Sequence, residues 1–384
     1  MREMKTDTSA ERLIRPVRYI PFDIGAALSE TKLKRISELL ERKYQRLSPD
    51  GYFRAIGSGV ALVFRLTEQC RLYVFRYGIG VFSIEDAPYR FDTSDAAFAT
   101  EYCQQRKYRH KQILNFQAEY SRLIQDTIRL TRLAAHVSRN ESRVSASDAW
   151  ECNGLSYVMT VSYLYLEKSA FAWEQLDDTV KKNLLVMLTP SLMNMEDSLC
   201  STYDSASCGN IESLNLKNYE PPQNYSQTAE YGIYISWAAV IPILKKENTA
   251  ITELIEVLEA DLQAMWMYVY CMQQDFIRKK RMPYGMAENV QFNAQREFVR
   301  FHALSDTSMP EYIRQIRTAL IETSGMQELM NSFVDDLQYM IRKNKVLRDI
   351  RLERMEYAKT ATLISLLGIS AAELIRKRHK GWFE

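Results

Sequence analysis

Met326, Phe333, Met340 and Leu347 stand seven residues apart, with Met330, Leu337 and Asn344 between them. This alternation of three- and four-residue steps lays one apolar seam along a helix, and it lasts a little over three heptads. A chain carrying it must contain a long helix. The residues leave two outcomes open: a coiled coil between chains or a helical bundle within one. A lone Asn in such a seam fixes register and oligomer state, so a homo-oligomer is expected.

The rest of the C-terminal part agrees with a helical reading. ITELIEVLEADLQAMWMYVYCMQQDFIRKK starts after Thr249 and stops near Pro283 and Gly285. A further helix covers Asn289–Ala303, and Pro310 opens a stretch expected to stay helical to about Leu367. Low Gly and Pro counts, 13 and 10 in 384 residues, favour helices over a turn-rich all-β fold.

The N-terminal part has a different period. GVALVFRL (59–66), RLYVFRY (71–77) and IGVFSIE (79–85) are rich in β-branched and aromatic residues and predict a β-meander. Gly78 and Gly80 suggest a bulge or tight bend; no GxGxxG phosphate loop is present. Residues 1–30 read as an irregular arm, Ser29–Gln45 as a helix, 96–139 and 173–188 as helices, and 155–168 as a strand. The stretch 200–230 reads as a long polar loop, and 230–237 as a strand. The expectation is an α+β protein. An N-terminal β-meander and helix domain spans 1–245, and a long-helix domain with a basic, partly apolar tail spans 246–384.

The net charge of +2 argues against a dedicated nucleic-acid scaffold. From Ile341 to Glu384, however, eleven Lys/Arg stand against five acids. Anionic lipid and nucleic acid are the natural partners of such a tail. Ala358–Ile375 is mostly apolar, yet too short and too polar to span a bilayer, which takes about 20 apolar residues. It suits an interfacial helix. Lys359, Arg376, Lys377, Arg378 and Lys380 would then meet phosphates, with Trp382 at headgroup level.

This layout of a β-containing domain, long helices and then RLERMEYAKTATLISLLGI (351–369) resembles CorA-like proteins of the magnesium-channel superfamily. In that family a charged helix end runs into the first membrane helix. The family's Gly-Met-Asn motif is not found here, since Gly368 is followed by Ile369 and Ser370, and no family site residue carries over. The resemblance implies a non-enzymatic oligomerising sensor or effector, cytoplasmic and peripheral at the inner face of a membrane.

Other readings of the same residues stay open. LLGISAAELIRKR resembles a helix-turn-helix, with Gly368 making the turn, Ser370 capping the second helix, and Arg376 and Arg378 facing DNA. The apolar stretch can instead pack back on the chain's own bundle. Arg296 and His302 are similar to the Arg-x(4–6)-His motif of HEPN ribonucleases, which would make them catalytic. Glu253, Glu256, Glu259 and Asp261 form an acidic helix face, expected to be solvated rather than metal-binding. RKKR (278–281) and the basic residues at 106, 107, 109 and 111 form two further basic spots. Six scattered Cys without a CxxC pair predict reduced thiols, and no cofactor or metal site is expected.

Overall fold

The structure, a computed structural model, describes residues 12–48, 59–85, 89–91, 122–136, 159–166, 178, 181–182, 185, 223–225, 231–236, 239–244, 249–278, 284–303 and 310–380. It is a mixed α+β protein, with an antiparallel sheet region towards the N-terminus and helices towards the C-terminus.

The meander forms as its residues predict. β3 (Val60–Arg65), β4 (Cys70–Phe75) and β5 (Ile79–Glu85) pair antiparallel in sequence order. Gly78 makes the β4–β5 turn at φ +83°, where a Cβ would be strained. Gly80 lies inside β5 directly opposite Phe22, whose ring fills the space a Cβ would take.

The stretch expected to be an irregular arm is instead a long strand, β1 (Arg12–Asp23), at the centre of the sheet. Arg12, Arg15 and Arg18 break the apolar alternation, and Pro16 and Pro21 remove two ladder donors, so RLIRPVRYIPFD carries little strand signal of its own. Its partners supply the pairing: β5 on one side, and β7 (Met159–Leu166) and the short β6 (Tyr89–Phe91) as well. The helix α1 (Glu30–Glu41) starts at the Ser29 cap and stops short of Gln45, where β2 (Gln45–Leu47) joins β3.

Beyond β7 the sheet continues through β10 (Ala239–Leu244), β9 (Tyr231–Ser236) and β8 (Gln223–Asn224). The expected single strand over 230–237 is thus the first arm of a hairpin. Its second arm contains Pro242 and runs parallel to β7. Among the described residues the order is β2-β3-β4-β5-β1-β7-β10-β9-β8, with β6 on β1.

Alternation sorts the side chains by face. Leu62, Phe64, Leu72, Val74, Phe82 and Ile84 form one core with Leu33, Ile36 and Leu40 of α1 and Ile124 and Ile128 of α2, the helix over 122–135. Tyr44 and Thr127 hydroxyls meet at 3.2 Å, and Arg132 donates to Asp23 O at 2.8 and 3.0 Å, fastening α2 in place. Arg71, on the alternate positions of β4, reaches instead to α3 (Thr249–Arg278), which packs along β1 and β5.

Three more helices follow: α4 (Tyr284–Ala303), α5 (Glu311–Thr323) and α6 (Met326–Lys380). The stretch after Pro310, expected to be one run, is broken at Ser324–Gly325. Gly325 takes φ +66°, and its N–H donates to Glu322 O. The chain divides into two compact units, Met1–Arg278 with Glu297–Met330, and Lys279–Arg296 with Asn331–Glu384. The helix expected over 173–188 is met at 178, 181, 182 and 185. The first part of the 96–139 helix, most of the 200–230 loop and the basic residues at 106–111 and 279–281 lie outside the described residues.

Candidate functional site

The distal half of α6 holds most of the residues expected to meet a partner. Arg, Leu, Met, Glu, Ala and Lys dominate 345–359 and favour a helix without tertiary support. Beyond them, hydroxyls that would compete with the helix are turned back on it. Thr360 Oγ1 donates to Glu356 O at 2.9 Å, Thr362 Oγ1 to Ala358 O at 2.7 Å, and Ser370 Oγ to Leu366 O at 2.9 Å.

Gly368 lies inside this unbroken helix, so no turn separates two helices there. Ser370 makes a mid-helix bond rather than a cap. The geometry a helix-turn-helix needs is therefore not formed.

Along α6 the seam divides sharply. Met326, Met330, Phe333 and Leu337 are buried, and Met340 and Asn344 are half-buried. From Lys345 to Gly368 every residue is exposed, including Leu347, the last member of the seam. Leu363, Ile364, Leu366 and Leu367 are 55–67% exposed, so the apolar stretch does not pack back on the chain. Lys359 is exposed on the same segment. Arg376, Lys377, Arg378 and Lys380 continue the helix, with side chains outside the described residues, as is the whole of Trp382.

Arg296 and His302 both lie on α4, six positions apart, which places them about 120° apart around the axis. Arg296 is exposed, and the His302 side chain lies outside the described residues. The structure thus puts the two positions on one helix, on different sides of its axis.

The acidic face of α3 is the largest departure from expectation. Glu253 is exposed, but Glu256, Glu259 and Asp261 are buried rather than solvated. Each meets a different environment. Glu256 Oε2 accepts from Arg71 Nη1 at 2.6 Å; burial pushes this carboxyl up to about 7, with Arg71 acting against the shift. Glu259 Oε1 accepts from Gln263 at 3.0 Å, while its Oε2 has no hydrogen-bond partner; burial pushes it up to about 7 as well.

Asp261 pairs with Arg317 of α5 at 2.9 Å, both side chains 3% exposed. The same Arg317 nitrogen donates to Phe301 O at 2.9 Å, and the guanidinium lies over the Phe301 ring. Tyr77 packs edge-on against Tyr268 near this pair, and burial, then the Asp261 and Glu297 charges, push its phenol well above its ordinary value. Glu256 and Asp261 each meet a separate cation, and Glu259 meets the Gln263 amide. Among the described residues, no group of three or more His, Cys, Asp or Glu could hold a metal ion.

The sequence offered one signal for this cluster: four acids on a largely apolar helix, ITELIEVLEADLQAMWM. Their partners, Arg71 and Arg317, lie 185 and 56 residues away and carry no mark. Among the described residues, Cys70 and Cys271 are buried, and burial pushes Cys70 up to about 12.

An open groove of about 440 Å³ runs along α1, lined by Glu30, Lys34, Ser37, Glu41, Arg46 and Arg76. Its charges are already paired. Ser37 and Arg46 both donate to Glu41, holding that carboxyl below its ordinary range, and Arg76 pairs with Glu30. The exposed half of α6 is the larger unsatisfied surface. No protein-family model matches the chain, and no curated protein matches it.

Proposed function

We propose that the chain is a non-enzymatic, self-associating sensor or effector whose distal α6 segment lies on an anionic membrane surface. The observation that carries this reading is the exposure of Leu363, Ile364, Leu366 and Leu367 on a helix with no charge between Lys359 and Glu373. Apolar side chains on several sides of a helix require an apolar environment. Lipid supplies one.

Length decides how the segment would sit. The uncharged stretch is about 20 Å long at ~1.5 Å per residue, against about 30 Å for the hydrocarbon core. Among the described residues no helix is long and apolar enough to cross a membrane. An interfacial position lets the apolar side chains enter the acyl boundary while Lys359 and the basic run 376–380 reach lipid phosphates. The layout-level resemblance to CorA-like proteins fits this placement.

Flotation with liposomes tests it, comparing the full chain with a variant ending at Tyr357. The full chain is expected to float with anionic vesicles, less at high salt, and the shortened variant to stay at the bottom. A full chain that ignores anionic vesicles at low salt overturns the reading.

A further inference from the structure

We propose that the exposed half of α6 pairs in parallel, in register, with α6 of a second copy of this chain, through the stripe Leu347, Ile350, Tyr357, Ala361, Ile364 and Gly368. This pairing deepens the self-association proposed above and rests on it.

The stripe is a continuation of the buried seam with one change of phase. From Met326 to Leu347 the steps alternate four and three, and the side chains are buried or half-buried as far as Asn344. At Leu347 the next step is three again, to Ile350, instead of four to Arg351. Alternation then resumes through Arg354, Tyr357, Ala361, Ile364 and Gly368. Dropping one residue turns the apolar line about 100° around the axis. Such a local phase change is a stammer, a known way for one helix to leave one partner and face another.

The change falls where burial ends. Every residue from Lys345 to Gly368 is exposed, and Tyr357 and Ile364 are 75% and 65% exposed. A helix surrounded by water needs no seven-residue repeat. One that wraps on another helix does, because the heptad keeps the same line facing its partner. The repeat therefore points to a helical partner over 347–368.

Charge identifies that partner as the same helix. Arg354 occupies a seam position, and Glu353 lies beside it on the seam's edge. In a parallel, in-register pair, Arg354 of each copy stands beside Glu353 of the other, and these two ion pairs offset the approach of the two Arg354 side chains across the two-fold axis. A purely apolar partner would leave Arg354 in the contact without a counter-charge.

Small residues then bring the backbones close. A Cβ built on Gly368 meets nothing within 4 Å, and Ala361 stands one heptad before it. Tyr357 and Ile364 supply the knobs between these gaps. Leu363, Leu366 and Leu367 lie off this stripe and remain for the lipid, and parallel pairing sets both basic ends, 376–380, side by side. An antiparallel pair would set them about 50 Å apart, the length of the helix beyond Asn344 at ~1.5 Å per residue.

Sedimentation equilibrium of the full chain without lipid reads the pairing. The wild type is expected at twice the 44.8 kDa chain mass, and a Tyr357→Glu/Ile364→Glu variant at half the wild-type mass with an unchanged far-ultraviolet spectrum. Mild oxidation reads the register. Ala361→Cys is expected to form a disulfide-linked dimer above the wild-type background, and Lys359→Cys, which faces away from the seam, is not.

A monomeric wild type overturns the proposal. So does a double variant with undiminished mass, or equal cross-linking at 359 and 361. Flotation separates this outcome from the membrane reading: a dimer that fails to float defeats only the lipid contact, and a monomer that floats defeats the self-association and its pairing while the lipid contact stands.

Discussion

Arg317 and Asp261 face each other at 2.9 Å with both side chains 3% exposed, joining α5 to the acidic side of α3 inside the protein. Two charges taken from water and set against each other are held by geometry, and removing either one leaves its partner charged in a dry site. Arg317→Met is therefore expected to destabilise the fold by about 3–5 kcal/mol. Adding Asp261→Asn to it is expected to cost less than the sum of the two single changes. Urea denaturation of the two single variants and the double variant measures both effects, and additive losses would show that the pair does not act as a unit.

Glu259 makes stability depend on pH in an identifiable way. Burial raises its folded-state value from 4.5 to about 7, so the fold favours the neutral carboxyl. That contribution is fully present below pH 4.5 and is lost as pH rises through about 7. Glu259→Gln keeps the shape and the neutral state at every pH. Between pH 5 and pH 8 it is expected to gain on the wild type by ~3 kcal/mol, read from paired denaturation curves at the two pH values. A constant difference between the two proteins would mean that Glu259 does not titrate in this window.

Gly80→Ala places a methyl group into the Phe22 ring, which stacks on Phe82 at a centroid distance of 5.0 Å. The two strands cannot separate locally, because β1 and β5 are paired from Val17 to Asp23. A loss of about 2–3 kcal/mol is expected from overpacking. Phe22→Leu in the same chain is expected to recover part of it, as a thermal melt of the three proteins would show.

Gly325→Ala acts through the backbone alone. At φ +66° the added Cβ is strained by about 1–2 kcal/mol although the nearest side-chain atom, on Glu328, is 3.9 Å away. Gly325→Asn is expected to lose less, because Asn tolerates this conformation better. Equal losses for the two would point to a contact rather than to the backbone.

At a dilution where the full chain is monomeric, shortening it to end at Tyr357 is expected to leave its melting temperature unchanged, within about 0.5 kcal/mol of stability. Residues 358–368 are exposed and add no burial within the chain. A clear drop at that dilution would indicate that the distal helix packs on its own chain.

Local chemistry made part of the fold legible. β3, β4 and β5 are visible because each carries its own β-branched and aromatic residues and short breaks separate them. The α6 seam is visible because periodicity is a property of one helix. The distal apolar and basic segment is visible for the same reason. β1 is not: its arginines and prolines give no strand pattern, and its place at the centre of the sheet comes from β5, β6 and β7.

The same division runs through the candidate sites. By itself the sequence determined the β3–β5 meander, the heptad register of α6 and the charge pattern of its end, since each depends on residues a few positions apart. Only the tertiary structure decided which acids are buried. Glu256 and Asp261 read as a solvated face until Arg71 and Arg317 arrive from distant parts of the chain and offset their desolvation. Likewise, only the tertiary structure decided that the α6 seam is buried to Leu337 and bare from Lys345 to Gly368. Burial is set by what packs against a surface, and a repeat along one helix carries no record of where its neighbours end.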